Sequence, residues 1–172
     1  MAKNKSAQSI LNKNCNVEYM HQAAQLCNNS KCGYKTGCVV VKKGTVLVEG
    51  WNETLAGEVY CQNGTCIREE KGLSGGREIE KVCCIHAESS VVAQAATKGI
   101  ALTGTSVYVT TFPCLICARL LAKTRVGKVY YMTDYMGSDL GRSVLEGANI
   151  QIKQVSEKEV WEYDASLKKS KQ

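Results

Sequence analysis

The chain has 172 residues, ten cysteines and a formal net charge of +6. That length suits one domain with its own core, so the cysteines are not the staples of a small disulfide scaffold, and no stretch approaches the ~20 apolar residues of a membrane span. The charge argues against a nucleic-acid surface once it is located. Lys3, Lys5 and Lys13 precede the first acidic residue, Glu18, while Lys168, Lys169 and Lys171 follow the last, Asp164, and these six carry the whole excess. Residues 14–167 are formally neutral, whereas a nucleic-acid footprint is expected as a basic stripe on the folded body.

Met1 to Ser6 is polar and leads into no apolar leader segment, so the expectation is a soluble, cytoplasmic protein with reduced thiols. One domain is expected over 1–172, with lysine-rich tails at about 1–14 and 165–172 and an insertion at about 52–83. Val17, Met20, Ala24 and Cys27 recur at helical spacing, which predicts a first helix over 16–28. Cys38 to Val41 and Thr45 to Glu49 flank Lys42-Lys43-Gly44 and predict a hairpin. Residues 52–83 show no sustained period, and a connection of that length is usually functional or anchored.

A helix is predicted over His86 to Lys98 with Gly99 as its stop, then a strand over Ser106 to Thr110 and a helix over Cys114 to Lys123. A strand over Lys128 to Thr133, a helix over Asp139 to Glu146 and a strand over Ile150 to Val155 complete the pattern. Strands alternating with helices imply an α/β fold with parallel later strands and helices on both faces of one sheet.

Two segments carry chemistry: Cys84-Ile85-His86-Ala87-Glu88 and Pro113-Cys114-Leu115-Ile116-Cys117. One imidazole and two thiolates make three zinc ligands and leave the fourth tetrahedral position to water, whereas a structural site is normally closed by a fourth side chain. Pro113 suits a helix start, Cys114 and Cys117 share one helix face, and the positive end of that helix favours thiolates. Glu88, two residues after the histidine, is a carboxylate beside the metal and is placed to move protons. Histidine, glutamate and Pro-Cys-x-x-Cys in this order form the signature of zinc-dependent deaminases.

On these residues the chain resembles the cytidine and deoxycytidylate deaminase superfamily, most closely the deoxycytidylate (dCMP) deaminases. Gly33 to Val41, Gly50-Trp51-Asn52 and Thr110 to Ala118 extend the resemblance, which runs from about Tyr34 to Val155. Histidine as first ligand separates it from the free cytidine deaminases, and Phe112 before Pro113 from the tRNA adenosine and guanine deaminases. The resemblance implies a three-layer α/β/α sandwich with a five-stranded mixed sheet, and hydrolysis of dCMP to dUMP and ammonia. It also implies Zn2+ on His86, Cys114 and Cys117, with Glu88 as the catalytic proton carrier.

By the same resemblance Asn52 would bond the sugar, Ala87 would contact the pyrimidine through its backbone, and Tyr135 would lie near the nucleotide. Lys35, Arg68 and Arg77 are candidates for the phosphate by charge and rough location, and a solvated loop charge accounts for each equally well. A homo-oligomer and a deoxynucleoside triphosphate effector belong to the same expectation. A second, structural zinc could draw four thiolates from Cys32, Cys61, Cys66, Cys83 and Cys84; the alternative is that Cys83 or Cys84 merely packs and that Cys61 and Cys66 bind no metal. Cys15, Cys27 and Cys38 read as core.

Two positions depart from the family pattern: Ser90 stands where asparagine is usual, and Glu53 where glycine is usual after the sugar-binding asparagine. An acidic group would repel a phosphate, so both bear on the substrate's identity. The alternatives are a deaminase of cytosine or adenine in single-stranded nucleic acid or tRNA, which the neutral body does not advertise, and a non-catalytic zinc-stabilised interaction module, in which Glu88 would have no task.

Overall fold

The computed structural model describes residues 15–55, 66–73 and 84–169. Helix α1 (15–26) runs into a short 3-10 turn, Cys27–Asn29. Strands β1 (Gly37–Lys42) and β2 (Thr45–Trp51) form the predicted hairpin. Lys43 and Gly44 both take positive φ, 51° and 82°, the turn whose twist matches that of paired strands. A single helical turn, α2 (Ile67–Glu70), lies within the insertion. Then follow α3 (Ala87–Thr97), β3 (Ser106–Thr111), α4 (Leu115–Lys123), β4 (Lys128–Thr133), α5 (Asp139–Gly147), β5 (Gln151–Gln154) and α6 (Glu157–Lys169).

The five strands form one sheet in the order β2-β1-β3-β4-β5. β1 is antiparallel to β2 and to β3, whereas β3, β4 and β5 are parallel. The predicted mixed sheet is therefore present, and its topology explains where a site can form. Two antiparallel steps bring β2 back to the direction of β3, so the C-terminal ends of β2, β3 and β4 lie along one edge. Asn52, Cys114 and Tyr135 follow those three ends.

Alternation along the strands divides the core in two. Cys38, Val40, Val107, Val109, Val129 and Tyr131 face α3, α4 and α5 and pack with Val91, Ala118, Leu121 and Leu145. Val39, Val41, Tyr108, Tyr130 and Met132 face the other way, onto Val17, Met20 and Ala23 of α1 and Val160 of α6. Tyr108 and Tyr130, paired in register across β3 and β4, stack with ring centroids 4.6 Å apart. Leu121 and Leu145 are fully buried, each contributing on the order of 2 kcal/mol.

Helix α6 was not predicted, and it takes residues 165–169 of the expected lysine-rich tail into its last turns. Its apolar stripe is short, with Val160 fully buried and Tyr163 packed against α1's side of the core. Its polar face is tied back by Asp164, which meets His21 at 2.9 Å and Lys168 at 2.7 Å. β5 is shorter than the predicted 150–155 because Ile150 closes the preceding turn, its N–H bonding Leu145 at 3.0 Å. The tail at 1–14 lies outside the described residues.

Candidate metal centre and active site

His86 and Cys114 are the N-cap residues of α3 and α4, with extended backbones (ψ 150° and 166°) and no side-chain cap of their own. Their side chains turn instead towards each other. His86 Nδ1 lies 3.5 Å from the Sγ of both Cys114 and Cys117. Tetrahedral zinc with a nitrogen at about 2.05 Å and a sulfur at about 2.3 Å requires an N···S edge of about 3.6 Å, so the three atoms stand where zinc ligands stand. The donor set and its spacing fit zinc. Among the described residues this is the one group of three histidine, cysteine or acidic side chains so gathered.

The electrostatics suit thiolate ligands. Cys114 is held well below the usual thiol range, first by its hydrogen bond with Cys117 and then by His86, against the opposing effect of burial. The pair thus gives up its first proton readily, while the second, on Cys117, is held by that same bond and by burial. Cys117 sits in the first turn of α4, where orphan N–H groups favour negative charge. The Ser89 hydroxyl lies 3.7 Å from Cys117 Sγ, a further partner for that thiolate.

Glu88 occupies the first turn of α3 and is 3 % exposed. Burial pushes its carboxyl up to about 7, although His86 pulls it the other way. A carboxyl poised near neutrality both takes and returns a proton efficiently. Tyr135 is pushed up to about 12 by burial and then by the charges of Cys114 and Glu88, and it packs against the core cluster that includes Ala87 and Phe112.

Asn52 is buried and fully ordered by its neighbours: Oδ1 accepts the Ala87 N–H at 2.9 Å, and Nδ2 donates to the Tyr34 carbonyl at 2.8 Å. The two residues expected at the sugar and the base are thus bonded to each other. Glu53 and Ser90, the two departures from the family pattern, are also bonded: the Ser90 hydroxyl donates to Glu53 Oε1 at 2.5 Å. That carboxylate is occupied at α3 and is not simply a free repulsive charge.

Of the phosphate candidates, Lys35 is exposed and follows Tyr34. Arg68 lies on α2, and its charge acts on His86, whose titration is lowered by burial but raised on balance by the Cys114 hydrogen bond and Glu88. Arg77 lies outside the described residues, as do Cys61 and Cys83. Cys32 and Cys66 are buried and Cys84 is half-buried. Cys66 lies close to the Cys32-Gly33 turn, its Cβ 3.2 Å from where a methyl on Gly33 would stand. Cys38 is fully buried as expected for core, whereas Cys15 and Cys27 are only half-buried, Cys27 because it bridges Thr110 and the Lys35 carbonyl at the surface.

Sequence reasoning missed Arg142. Its guanidinium lies 4.4 Å from the Phe112 ring centre and bonds Asp134 at 2.7 Å, so it braces the segment that enters Pro113-Cys114. Neighbouring Gly141 has the same target, since a methyl there would come 2.8 Å from the Pro113 carbonyl oxygen. Neither residue carries a local signal, because both act across the α4–α5 contact.

Residues 13–133 match the family model described as the cytidine and deoxycytidylate deaminase zinc-binding region. The chain is 29 % identical over 137 residues to a deoxycytidylate deaminase of Schizosaccharomyces pombe, covering 79 % of this chain and 42 % of that protein. It is 28 % identical over 155 residues to one of Saccharomyces cerevisiae, covering 90 % and 49 %. It thus spans less than half the length of these two relatives. Among solved structures it is similar to the dCMP deaminase of cyanophage S-TIM5 in complex with dCMP and dUMP, with TM-score 0.65 and 28 % identity, covering 80 % of this chain and 93 % of that one. With fold, ligand triad and family match in agreement, the chain belongs to the cytidine and deoxycytidylate deaminase zinc-binding family.

Proposed function

We propose that this chain catalyses the zinc-dependent hydrolytic deamination of dCMP to dUMP and ammonia. The observation that carries the reading is the buried Glu88 beside the His86–Cys114–Cys117 triad: a structural zinc site has no use for a buried, near-neutral carboxyl. Zinc held there would lower the pKa of a coordinated water from 15.7 to about 7. Glu88 takes one proton from the attacking water and passes it to the ring nitrogen as the water oxygen bonds the amino-bearing carbon. It then takes the second proton from that oxygen and gives it to the amino group as the carbon–nitrogen bond breaks and ammonia leaves. Ser89 and the two helix starts keep the thiolates charged and in place.

Asn52 orients the sugar, Ala87 the pyrimidine and Tyr135 one side of the nucleotide, while Lys35, Arg68 and Arg77 are candidate cations for the phosphate. An amide nitrogen carries two N–H donors, and among the described residues Asn52 has given one to Tyr34. The likeness to a structure holding dCMP and dUMP supports a free nucleotide, as does the neutral body of the chain. Homo-oligomeric assembly and response to a deoxynucleoside triphosphate belong to the same reading. A cytoplasmic location is supported by thiol ligands that need a reducing compartment.

Ammonia release from dCMP, CMP, deoxycytidine and single-stranded DNA by zinc-loaded protein tests it. The expected result is the highest kcat/KM on dCMP. Turnover of the DNA instead, or of none of the four, overturns the reading.

A further inference from the structure

The end of β2 delivers Asn52 and Glu53 to the start of α3, and together they hold Ile85 just before that helix and Ala87 and Ser90 within it. Glu53 exchanges both backbone bonds with Ile85, at 3.0 and 2.7 Å. Asn52 Oδ1 takes the Ala87 N–H, and Glu53 Oε1 takes the Ser90 hydroxyl. The held residues, 85, 87 and 90, bracket His86 and Glu88. A helix start leaves four N–H groups without partners, and the N-cap side chain ordinarily accepts one of them. Here the N-cap is His86, whose ring faces the thiols, so the cap comes from Asn52, just past the end of β2.

Ser90 is tied on both sides. It also accepts from Gln94 Nε2 at 3.3 Å, and Gln94 Nε2 donates to the Glu49 carbonyl at 2.8 Å. The chain of bonds from Glu49 through Gln94 and Ser90 to Glu53 stitches α3 along β2. Gly50 sets the depth of that contact: a methyl there would stand 3.0 Å from Ser90 Oγ, 3.0 Å from Val91 Cγ1 and 3.1 Å from the Ala87 carbonyl oxygen. With no space between the elements, the remaining freedom of the first turn is rotation about its axis, and the Glu53–Ser90 bond opposes it.

The geometry points to Glu53 and Ser90 as a coupled pair of positioning residues that set the angle at which Glu88 presents its carboxyl to the reacting base. This rests on the deaminase reading of Glu88. Proton transfer needs its partners within hydrogen-bond reach, and a displacement of about 1 Å costs up to about a hundredfold in rate. A pair acting through Glu88 affects turnover and not the affinity for the nucleotide.

The test uses zinc-loaded full-length Glu53→Ala, Ser90→Ala, the double variant and Glu53→Gln. Each alanine variant is expected to lower kcat on dCMP about tenfold with KM within about twofold, and the double variant to fall no further than either single. Glu53→Gln, whose carbonyl still accepts from Ser90, recovers most of the loss. Additive losses in the double variant, losses confined to KM, kcat unchanged in both singles, or no recovery by glutamine overturn the proposal. Hydrogen exchange at the Ala87 and Glu88 amides gives a readout that needs no turnover. Exchange about tenfold faster in Glu53→Ala and Ser90→Ala is expected, and unchanged protection overturns the pairing whether or not dCMP is the substrate. If Glu53→Ala does not fold, the smaller Ser90→Ala change and the glutamine variant decide the matter by the same measurements.

Discussion

Helices α3 and α4 both start on a residue of the candidate metal triad with extended backbone, yet they are held by different means. The start of α4 is largely local: Pro113 presets the entry, and Cys114 and Cys117 are one turn apart on one helix. Its outside support is α5, through Gly141 against the Pro113 carbonyl and Arg142 over Phe112. The start of α3 borrows its cap from Asn52 and its restraint from Glu53, more than thirty residues earlier in the chain. The difference follows from what each first turn does. On the proposed reading α4 only has to present two thiolates, which the helix itself spaces; α3 has to present one ligand and one mobile proton, and their relative direction is not set by helix geometry alone.

Removing the metal with a chelator is expected to abolish ammonia release from dCMP completely, with recovery on adding zinc, since both helix starts then lose their common ion. Retained turnover would break the comparison at its root. Glu88→Gln separates the two starts: kcat is expected to fall about a thousandfold while metal analysis finds zinc content unchanged. Loss of zinc in that variant would mean that Glu88 serves the ion and not the proton.

The two glycines make a matched pair of smaller tests. Gly141→Ala meets a backbone oxygen at 2.8 Å and Gly50→Ala meets three atoms at 3.0–3.1 Å, so each is expected to cost about 1–3 kcal/mol in urea unfolding. Gly141→Ala acts on the α4 start, so its zinc affinity should weaken more than that of Gly50→Ala; the reverse order would contradict the assignment of supports. Asn52→Ala removes the borrowed cap, at about 1 kcal/mol, read from the same unfolding curves.

The smallest effect is a control on the opposite face. Asp164 is held below 3.8 by its hydrogen bonds with Lys168 and His21. A lowered carboxyl stabilises the fold above its unfolded value, and that contribution is lost as pH falls from about 3.8 through the lower folded value. Asp164→Asn is expected to shift the urea midpoint slightly at neutral pH, to lose that difference in acid, and to leave deamination unchanged.

Legibility in the sequence follows the same division. His86, Cys114 and Cys117, which the structure gathers, and the buried Glu88 stood out because their spacing is short-range: a Pro-Cys-x-x-Cys turn and a His-x-Glu turn each fall within one helical turn. The strands β1, β3 and β4 were equally plain, since Val39, Tyr108 and Tyr130 alternate with Cys38, Val109 and Tyr131 between two buried faces. Helix α6 was hidden because lysines at its end outweighed the sparse stripe of Val160 and Tyr163. Glu53 and Ser90 were visible only as two separate departures; that they answer each other is a fact of the β2–α3 contact, which no local pattern encodes. The same holds for Arg142, whose partners Phe112 and Asp134 lie just past the ends of β3 and β4.

The position of β3 in the middle of the sheet has a consequence for how the protein matures. Cys114 and Cys117 follow β3, which pairs with β1 on one side and β4 on the other, while His86 begins a helix laid over β1 and β2. The histidine and the thiols therefore depend on the β1–β3 pairing, which joins residues 65 to 71 apart in sequence, and pairings of such separation form slowly. Acquisition of zinc would then be a late event that reports completion of the sheet, and a chain trapped before that step would hold two thiols and one imidazole too far apart to share an ion.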